Sequence, residues 1–162
     1  GGLPVGAYGG PREIMEGLSP LGPVYQAGTL SGNPVAMAAG AATLEVLLAD
    51  SGQAWCDLEG AGARLQTGLE EILQRRGVPW SVARVGSILW LSLQDGPPPR
   101  AAEGIEAAAA GRYARLHRAL LASGIYLAPS AYEVAFLSTA HDHAVIDRTV
   151  EAFDEAVPEA LS

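Results

Sequence analysis

Apolar residues along the chain recur mostly at helical spacing, which predicts several α-helices. A short helix is expected over 11–17, and longer ones over 34–48, 54–76, 105–123 and 144–156. Asn33 is a strong N-cap residue and Pro34 suits the first helical position of the alanine-rich helix. Gly77 and Gly124 follow two of the helices directly, as helix-ending glycines do. These residues support the predicted start of one helix and the predicted ends of two others.

Shorter runs rich in β-branched and aromatic residues lie between these helices and predict strands. Strands are expected over 3–9, one or two over 78–93, and one each over 125–129 and 133–140. Residues 94–104, with three consecutive prolines, predict a surface loop. Helices and strands alternate, so the fold class is α/β, and residues from about 58 onward are expected to form a compact unit.

Charge and composition narrow the class of partner. The chain has 18 acidic and 10 basic residues, a net charge of −8, which argues against a nucleic-acid partner. No apolar run approaches the roughly 20 residues that cross a bilayer, and no signal peptide is evident, so no membrane association is expected. Cys56 is the single cysteine, which excludes an intrachain disulfide and is typical of a cytoplasmic protein.

The basic residues are all arginines, and lysine is absent from the whole sequence. A coding bias toward Ala, Arg, Gly and Pro explains this simply. The chemical consequence is that no side-chain amine of this chain can form a Schiff base.

The most unusual stretch is GTLSGNP, residues 28–34, directly before the alanine-rich helix. One interpretation is an anion site, in which Gly28 lets the backbone curl and Thr29 and Ser31 add hydroxyl donors beside the helix N-terminus. The other is an ordinary capped helix, since caps of this composition are common. The stretch is not a Walker loop, which needs a lysine before Ser or Thr. Spacing alone leaves both interpretations open.

Several other residues invite chemical interpretations that we do not favour. His141, Asp142 and His143 are adjacent and rarely could converge on one ion, so we expect a turn with Asp142 near an N-cap and no metal site. His117 lies among Arg112, Arg115 and Arg118 of the same predicted helix and is expected at the surface. Cys56 has no activating neighbour in the sequence and is expected to be an ordinary helix residue.

Glu133 stands between YLAPSAY and VAFLS, an apolar setting for a carboxylate. If it is buried there, it needs a partner or a displaced pKa. The alternative is a strand position that faces solvent. Both remain open at this level.

Four segments resemble the glutamate-1-semialdehyde 2,1-aminomutase family of class III aminotransferases, and they come in that family's order. They are GGLPVGAYGGPREIME, GPVYQAGTLSGNPVAMAAGAATLEVL, RVGSILWLSL and GIYLAPSAYEVAFLSTAH. The resemblance covers nearly the whole chain. It implies the pyridoxal-phosphate fold of type I, with residues 1–57 as the end of the large cofactor domain and its connecting helix. Residues 58–162 would then be the small C-terminal α/β domain.

The resemblance also implies roles for particular residues. Gly28 and Thr29 match a pair that reaches across a homodimer interface to the phosphate of the partner's cofactor, with Ser31 in support. Glu133 matches an active-site glutamate where many related ω-aminotransferases have an arginine. In the family the Schiff-base lysine precedes the GGLP segment. This chain is therefore expected to be a C-terminal portion that is inactive alone, with no catalytic residue of its own to name.

The activity implied is an intramolecular amino transfer that converts glutamate 1-semialdehyde to 5-aminolevulinate, a step of tetrapyrrole synthesis. Its cofactors would be pyridoxal 5'-phosphate and pyridoxamine 5'-phosphate. One alternative is another class III aminotransferase, acting on ω- or β-amino acids. A second alternative is a non-catalytic fragment that serves as an interaction or dimerisation module.

Overall fold

The computed structural model describes residues 2–162, which fall into two compact units with the boundary between Gln53 and Ala54. The elements within this range are, in chain order, α1 (Arg12–Met15), α2 (Pro34–Leu48), α3 (Gln53–Arg76), β1 (Ser81–Val85), β2 (Ile88–Ser92), α4 (Ala107–Ala122), β3 (Ala135–Phe136) and α5 (His143–Leu161). Short 3₁₀ turns cover Ala49–Gly52 and Ala102–Gly104. The five predicted helices are confirmed, with shifts of at most two residues at their ends except in α5, which continues five residues further than expected, to Leu161.

The first unit consists of α1, α2 and the irregular chain around them. Asn33 caps α2 as predicted, because its side-chain oxygen accepts hydrogen bonds from the backbone N–H groups of Val35 and Ala36, each at 3.1 Å. Asp50 and Ser51 have φ of 49° and 59°, a left-handed conformation that ends the helix. The predicted strand over 3–9 is wrong, since those residues run as irregular, exposed chain.

The second unit packs three helices around a small antiparallel sheet. Strand β2 lies between β1 and β3, and β1 pairs with β2 from Ser81 opposite Ser92 to Val85 opposite Ile88. The core draws apolar side chains from α3, α4, α5 and the hairpin, including Leu65, Leu69, Ile72, Val82, Leu89, Leu116, Leu120, Ile146, Phe153 and Val157. This compact unit spans Ala54–Ser162, and the division between residues 57 and 58 that the resemblance implies stays a prediction.

Two of the strand predictions in the second unit need correction. Residues 125–129 form no strand, and the strand expected over 133–140 shrinks to Ala135–Phe136, paired with Leu89 and Ile88. The loop over 94–104 begins inside the core, because Gln94 is buried, donates to the Gly104 carbonyl and accepts from the Glu106 N–H. The next helix accordingly begins at Ala107 rather than at 105.

One helical stretch passes a membrane-span criterion of length and composition, contrary to the expectation from the sequence. It covers Pro34–Arg76, contains an 18-residue window of mean hydropathy 1.3, and has 6% of that window buried. A single stretch of this kind is weak evidence for a membrane span. The left-handed residues Asp50 and Ser51 also divide it into two helices, the first of 15 residues.

Candidate functional site

The glycine- and hydroxyl-rich turn before α2 forms one wall of a cleft of about 350 Å³. Other walls come from 4–6 and from the first turn of α2. The turn closes through hydrogen bonds from Ser31 N–H to the Gly28 carbonyl at 2.9 Å and from Asn33 N–H to the Leu30 carbonyl at 3.0 Å. Gly32 has φ of +72°, a conformation that favours glycine. Gly28, Thr29 and Ser31 are thus brought together on one cleft.

The backbone donors of α2 itself are already in use. Asn33 satisfies the N–H groups of Val35 and Ala36 through its side chain and that of Met37 through its carbonyl, while Pro34 has no N–H. The cap interpretation is therefore correct for the helix. The anion interpretation now depends on the turn alone.

The turn retains donors of its own. Within residues 2–162, the N–H groups of Thr29, Leu30 and Gly32 and the hydroxyls of Thr29 and Ser31 form no hydrogen bond. A β-carbon on Gly28 would lie 3.1 Å from the Ser31 Oγ, so a side chain there would crowd that hydroxyl. No charged residue of the described chain lines the cleft. A set of neutral donors without a carboxylate fits the oxygens of a phosphate group.

Glu133 lies in the second unit, in the turn that precedes β3. Its N–H donates to the Ser130 carbonyl at 3.2 Å, and the residue is exposed. The solvent-facing alternative is therefore right about exposure but wrong about the strand. Its side chain also borders an apolar cavity of about 40 Å³, together with Tyr113, Leu91 and Leu127. Within residues 2–162 no hydrogen bond or ion pair holds this carboxylate.

Tyr113 of α4 is the buried neighbour of this carboxylate. Burial raises the pKa of its phenol, and the negative charge of Glu133 raises that pKa further. Its Oη donates a 2.6 Å hydrogen bond to the Ala128 carbonyl, which satisfies the hydroxyl inside the core.

Three side chains bind backbone carbonyls of the segment before Glu133. This role was not predicted for them from the sequence. Tyr113 contacts the Ala128 carbonyl, Trp90 Nε1 donates to the Ala131 carbonyl at 2.8 Å, and His117 Nε2 donates to the Leu127 carbonyl at 3.1 Å. His117 is half-buried between the rings of Tyr113 and Tyr126, so its expected surface position is wrong. The available sequence signal was that Trp and Tyr side chains packed against a core usually have a polar partner.

His141 and Asp142 stabilise the turn that precedes α5 and the start of that helix. Asp142 Oδ1 accepts from Val145 N–H at 2.9 Å and caps α5, as predicted. His141 Nδ1 accepts the N–H of Ser138 at 2.9 Å and thereby closes the turn before that cap. Among residues 2–162, no group of three or more His, Cys, Asp or Glu side chains could hold a metal ion. Cys56 lies exposed on α3.

The sequence matches the family model for class-III aminotransferases over residues 1–157. It is 51% identical over 162 residues to a glutamate-1-semialdehyde 2,1-aminomutase of Desulforudis audaxviator, covering 100% of this chain and 37% of that protein. It is 49% identical over 157 residues to a protein of the same name from Thermus thermophilus, covering 97% and 36%. The chain thus spans little more than a third of the length of the curated relatives it matches.

Solved structures show the same fold. An ω-transaminase from Sphaerobacter thermophilus superposes with a TM-score of 0.74 at 29% identity, covering 95% of this chain and 35% of that one. A glutamate-1-semialdehyde aminomutase variant from Pseudomonas aeruginosa, in complex with PMP, gives a TM-score of 0.68 at 23% identity, covering 83% and 29%. The type I architecture expected from the sequence is confirmed for this segment.

Proposed function

This chain belongs to the class-III aminotransferase family, and from that premise we propose that it is a segment of a glutamate-1-semialdehyde 2,1-aminomutase. The observation that carries the proposal is the 51% identity to a protein of that name over the full length of the chain. The whole protein would isomerise glutamate 1-semialdehyde to 5-aminolevulinate. On this proposal residues 1–57 end the large domain and 58–162 form the small domain.

The cleft of the first unit is the part of this chain that would hold the cofactor phosphate. Thr29 would donate its hydroxyl and N–H, Ser31 would add a second hydroxyl, and Gly28 keeps that hydroxyl accessible. The cofactor, pyridoxal 5'-phosphate or pyridoxamine 5'-phosphate, supplies the electron sink when bound. We place this contact across a homodimer interface, and the protein in the cytoplasm.

The absence of lysine limits what the chain does by itself. A residue that binds the cofactor covalently must come from elsewhere in the whole protein, because none of the 162 residues carries a side-chain amine. Incubating this chain alone with pyridoxal 5'-phosphate should therefore leave no cofactor attached after borohydride reduction, apart from reaction at the N-terminal amine. Attachment to a side chain would contradict the assignment.

Glu133 is the residue we assign to substrate choice. Its exposed carboxylate has no cation beside it among the described residues, so it cannot bind a substrate carboxylate and repels a second dicarboxylic substrate. An intramolecular transfer needs no such second substrate. An aminotransferase that moves the amino group between two molecules does need a second substrate.

The test is the reaction of the full-length holoenzyme with glutamate 1-semialdehyde in the absence of any amino acceptor. We expect 5-aminolevulinate to form at a steady rate. The second candidate, an ω-transaminase, is favoured by the TM-score of 0.74 to the enzyme of Sphaerobacter thermophilus. That function predicts product only after an external acceptor is added, and such a requirement would overturn the aminomutase proposal.

A further inference from the structure

The segment between α4 and β3 carries Glu133 without the support of a strand ladder. Its backbone starts with a hydrogen bond from Ile125 N–H to the Leu120 carbonyl and ends at the short strand Ala135–Phe136. Between these anchors the carbonyls of Leu127, Ala128 and Ala131 are bound by side chains, whereas that of Ser130 accepts from the Glu133 N–H. The position of Glu133 therefore depends in part on those side chains.

Two of these contacts lie nearest to Glu133 along the chain. Trp90 on β2 binds the carbonyl of Ala131, two residues before Glu133, at 2.8 Å. Tyr113 on α4 binds the carbonyl of Ala128 at 2.6 Å and lines the same cavity as Glu133. Both donors project from regular elements of the packed core, so they hold the segment against a rigid frame.

We propose that Trp90 and Tyr113 are positioning residues for Glu133, acting through the carbonyls of Ala131 and Ala128. This inference rests on the proposed function of Glu133 in rejecting a second dicarboxylic substrate. The two side chains do not touch substrate. They determine where the carboxylate stands and therefore how strongly it repels an incoming acid.

The physical reason is the cost of an unmade hydrogen bond. Replacing Trp90 by Phe retains an aromatic ring but removes the only N–H that binds the Ala131 carbonyl among the described residues. The carbonyl must then turn toward water, because leaving a partly buried acceptor unsatisfied is unfavourable. A turn of that peptide bond moves the two residues that follow it, which include Glu133.

The experiment compares Trp90→Phe with Trp80→Phe in the full-length holoenzyme. Trp80 is buried in the same core, yet its indole N–H forms no hydrogen bond within residues 2–162, so the control loses ring volume without freeing the segment. The readout is the rate of amine exchange with 2-oxoglutarate divided by the rate of 5-aminolevulinate formation. For Trp90→Phe we expect this ratio to rise roughly three- to ten-fold, the scale of one hydrogen bond, and for Trp80→Phe to stay unchanged.

A double-mutant cycle with Glu133→Gln separates positioning from general damage. If Trp90 acts through Glu133, the Trp90→Phe change should no longer alter the ratio in the Glu133→Gln background. An undiminished effect of Trp90→Phe in that background would overturn the inference. If Glu133→Gln alone leaves the ratio unchanged, it is the proposed function of Glu133 that fails, so the two failures are distinguishable.

Tyr113→Phe provides a second, independent variant. It removes one hydroxyl from a buried ring and should raise the exchange ratio in the same direction as Trp90→Phe, again only while Glu133 is present. Should Trp90→Phe fold poorly, this variant alone decides the matter. An exchange ratio like that of the unaltered enzyme in Tyr113→Phe would count against the proposal.

Discussion

Gly62 on α3 lies directly against the backbone carbonyl oxygen of Gly86 in the turn between β1 and β2. A β-carbon built on Gly62 collides with that oxygen, and a backbone atom cannot move aside as a flexible side chain would. Gly62→Ala should therefore lower the free energy of unfolding by about 1–3 kcal/mol, the usual cost of overpacking. Urea unfolding would measure this loss as a lower midpoint concentration, with an unchanged dependence of the unfolding free energy on urea concentration.

Gly60 is the matched control for this prediction, since it lies on the same helix with open space where a β-carbon would be. Gly60→Ala should raise the free energy of unfolding by about 0.5–1 kcal/mol, because alanine is the better helix former. Equal effects of the two substitutions would show that the contact with Gly86 does not limit the packing of α3.

The helices could be predicted from the sequence because the information that specifies them is local. Asn33 accepts from N–H groups two and three residues ahead of it, and Asp142 does the same three residues ahead. The strand character of Ser81–Ser92 was predictable from local composition, although the sequence left open whether one strand or two form there. Each of these elements is decided within a window of a few residues.

The segment around Glu133 could not be predicted in the same way. Residues 125–129 have the composition of a strand, yet their carbonyls bind side chains such as His117 and Tyr113 instead of a neighbouring strand. Strand propensity describes a residue, whereas a strand needs a partner supplied by distant parts of the chain. The expected burial or exposure of Glu133 depended on the same long-range packing, so the sequence left it open.

Thr29→Val should weaken cofactor binding in the full-length protein. The substitution keeps the shape of the side chain and removes the hydroxyl that we assign to the phosphate, so the dissociation constant should rise about ten-fold. Thr43→Val is the control, because the Thr43 hydroxyl donates to the Ala39 carbonyl inside α2, outside the cleft. Equilibrium dialysis would compare the two, and equal affinity would contradict the phosphate assignment.

Substitutions of Asn33 can distinguish its role in capping α2 from anion binding in the cleft beside it. Asn33→Ala removes the acceptor for Val35 and Ala36 and should cost about 1 kcal/mol of stability. Asn33→Asp retains the acceptor but adds a negative charge next to Gly32, which lines the cleft. We therefore expect Asn33→Asp to keep its stability in thermal melts of the apoprotein while binding pyridoxal 5'-phosphate more weakly. Unchanged affinity would show that the cleft binds no anion.

Asp154 on α5 joins the end of α3 by pairing with Arg76 and with Arg75, the latter at 2.6 Å. The hydrogen bond from Arg76 lowers the pKa of this carboxyl, and Arg75 lowers it further. Because the folded-state pKa lies below the unfolded value of about 3.9, the pairing stabilises the fold above that pH. The contribution is lost as the pH falls through the folded-state pKa, when the carboxyl takes up a proton.

Asp154→Asn should accordingly reduce stability near neutral pH by up to about 1 kcal/mol, a limit set by the solvent exposure of the arginines. The penalty should shrink as the pH falls below about 4, since the unaltered protein then loses the same interaction. Asp95→Asn serves as the control, because Asp95 is exposed after β2 and forms no ion pair among residues 2–162. Urea midpoints at several pH values would test this. A penalty for Asp154→Asn that does not change with pH would show that packing, rather than charge, accounts for the stability that this contact contributes.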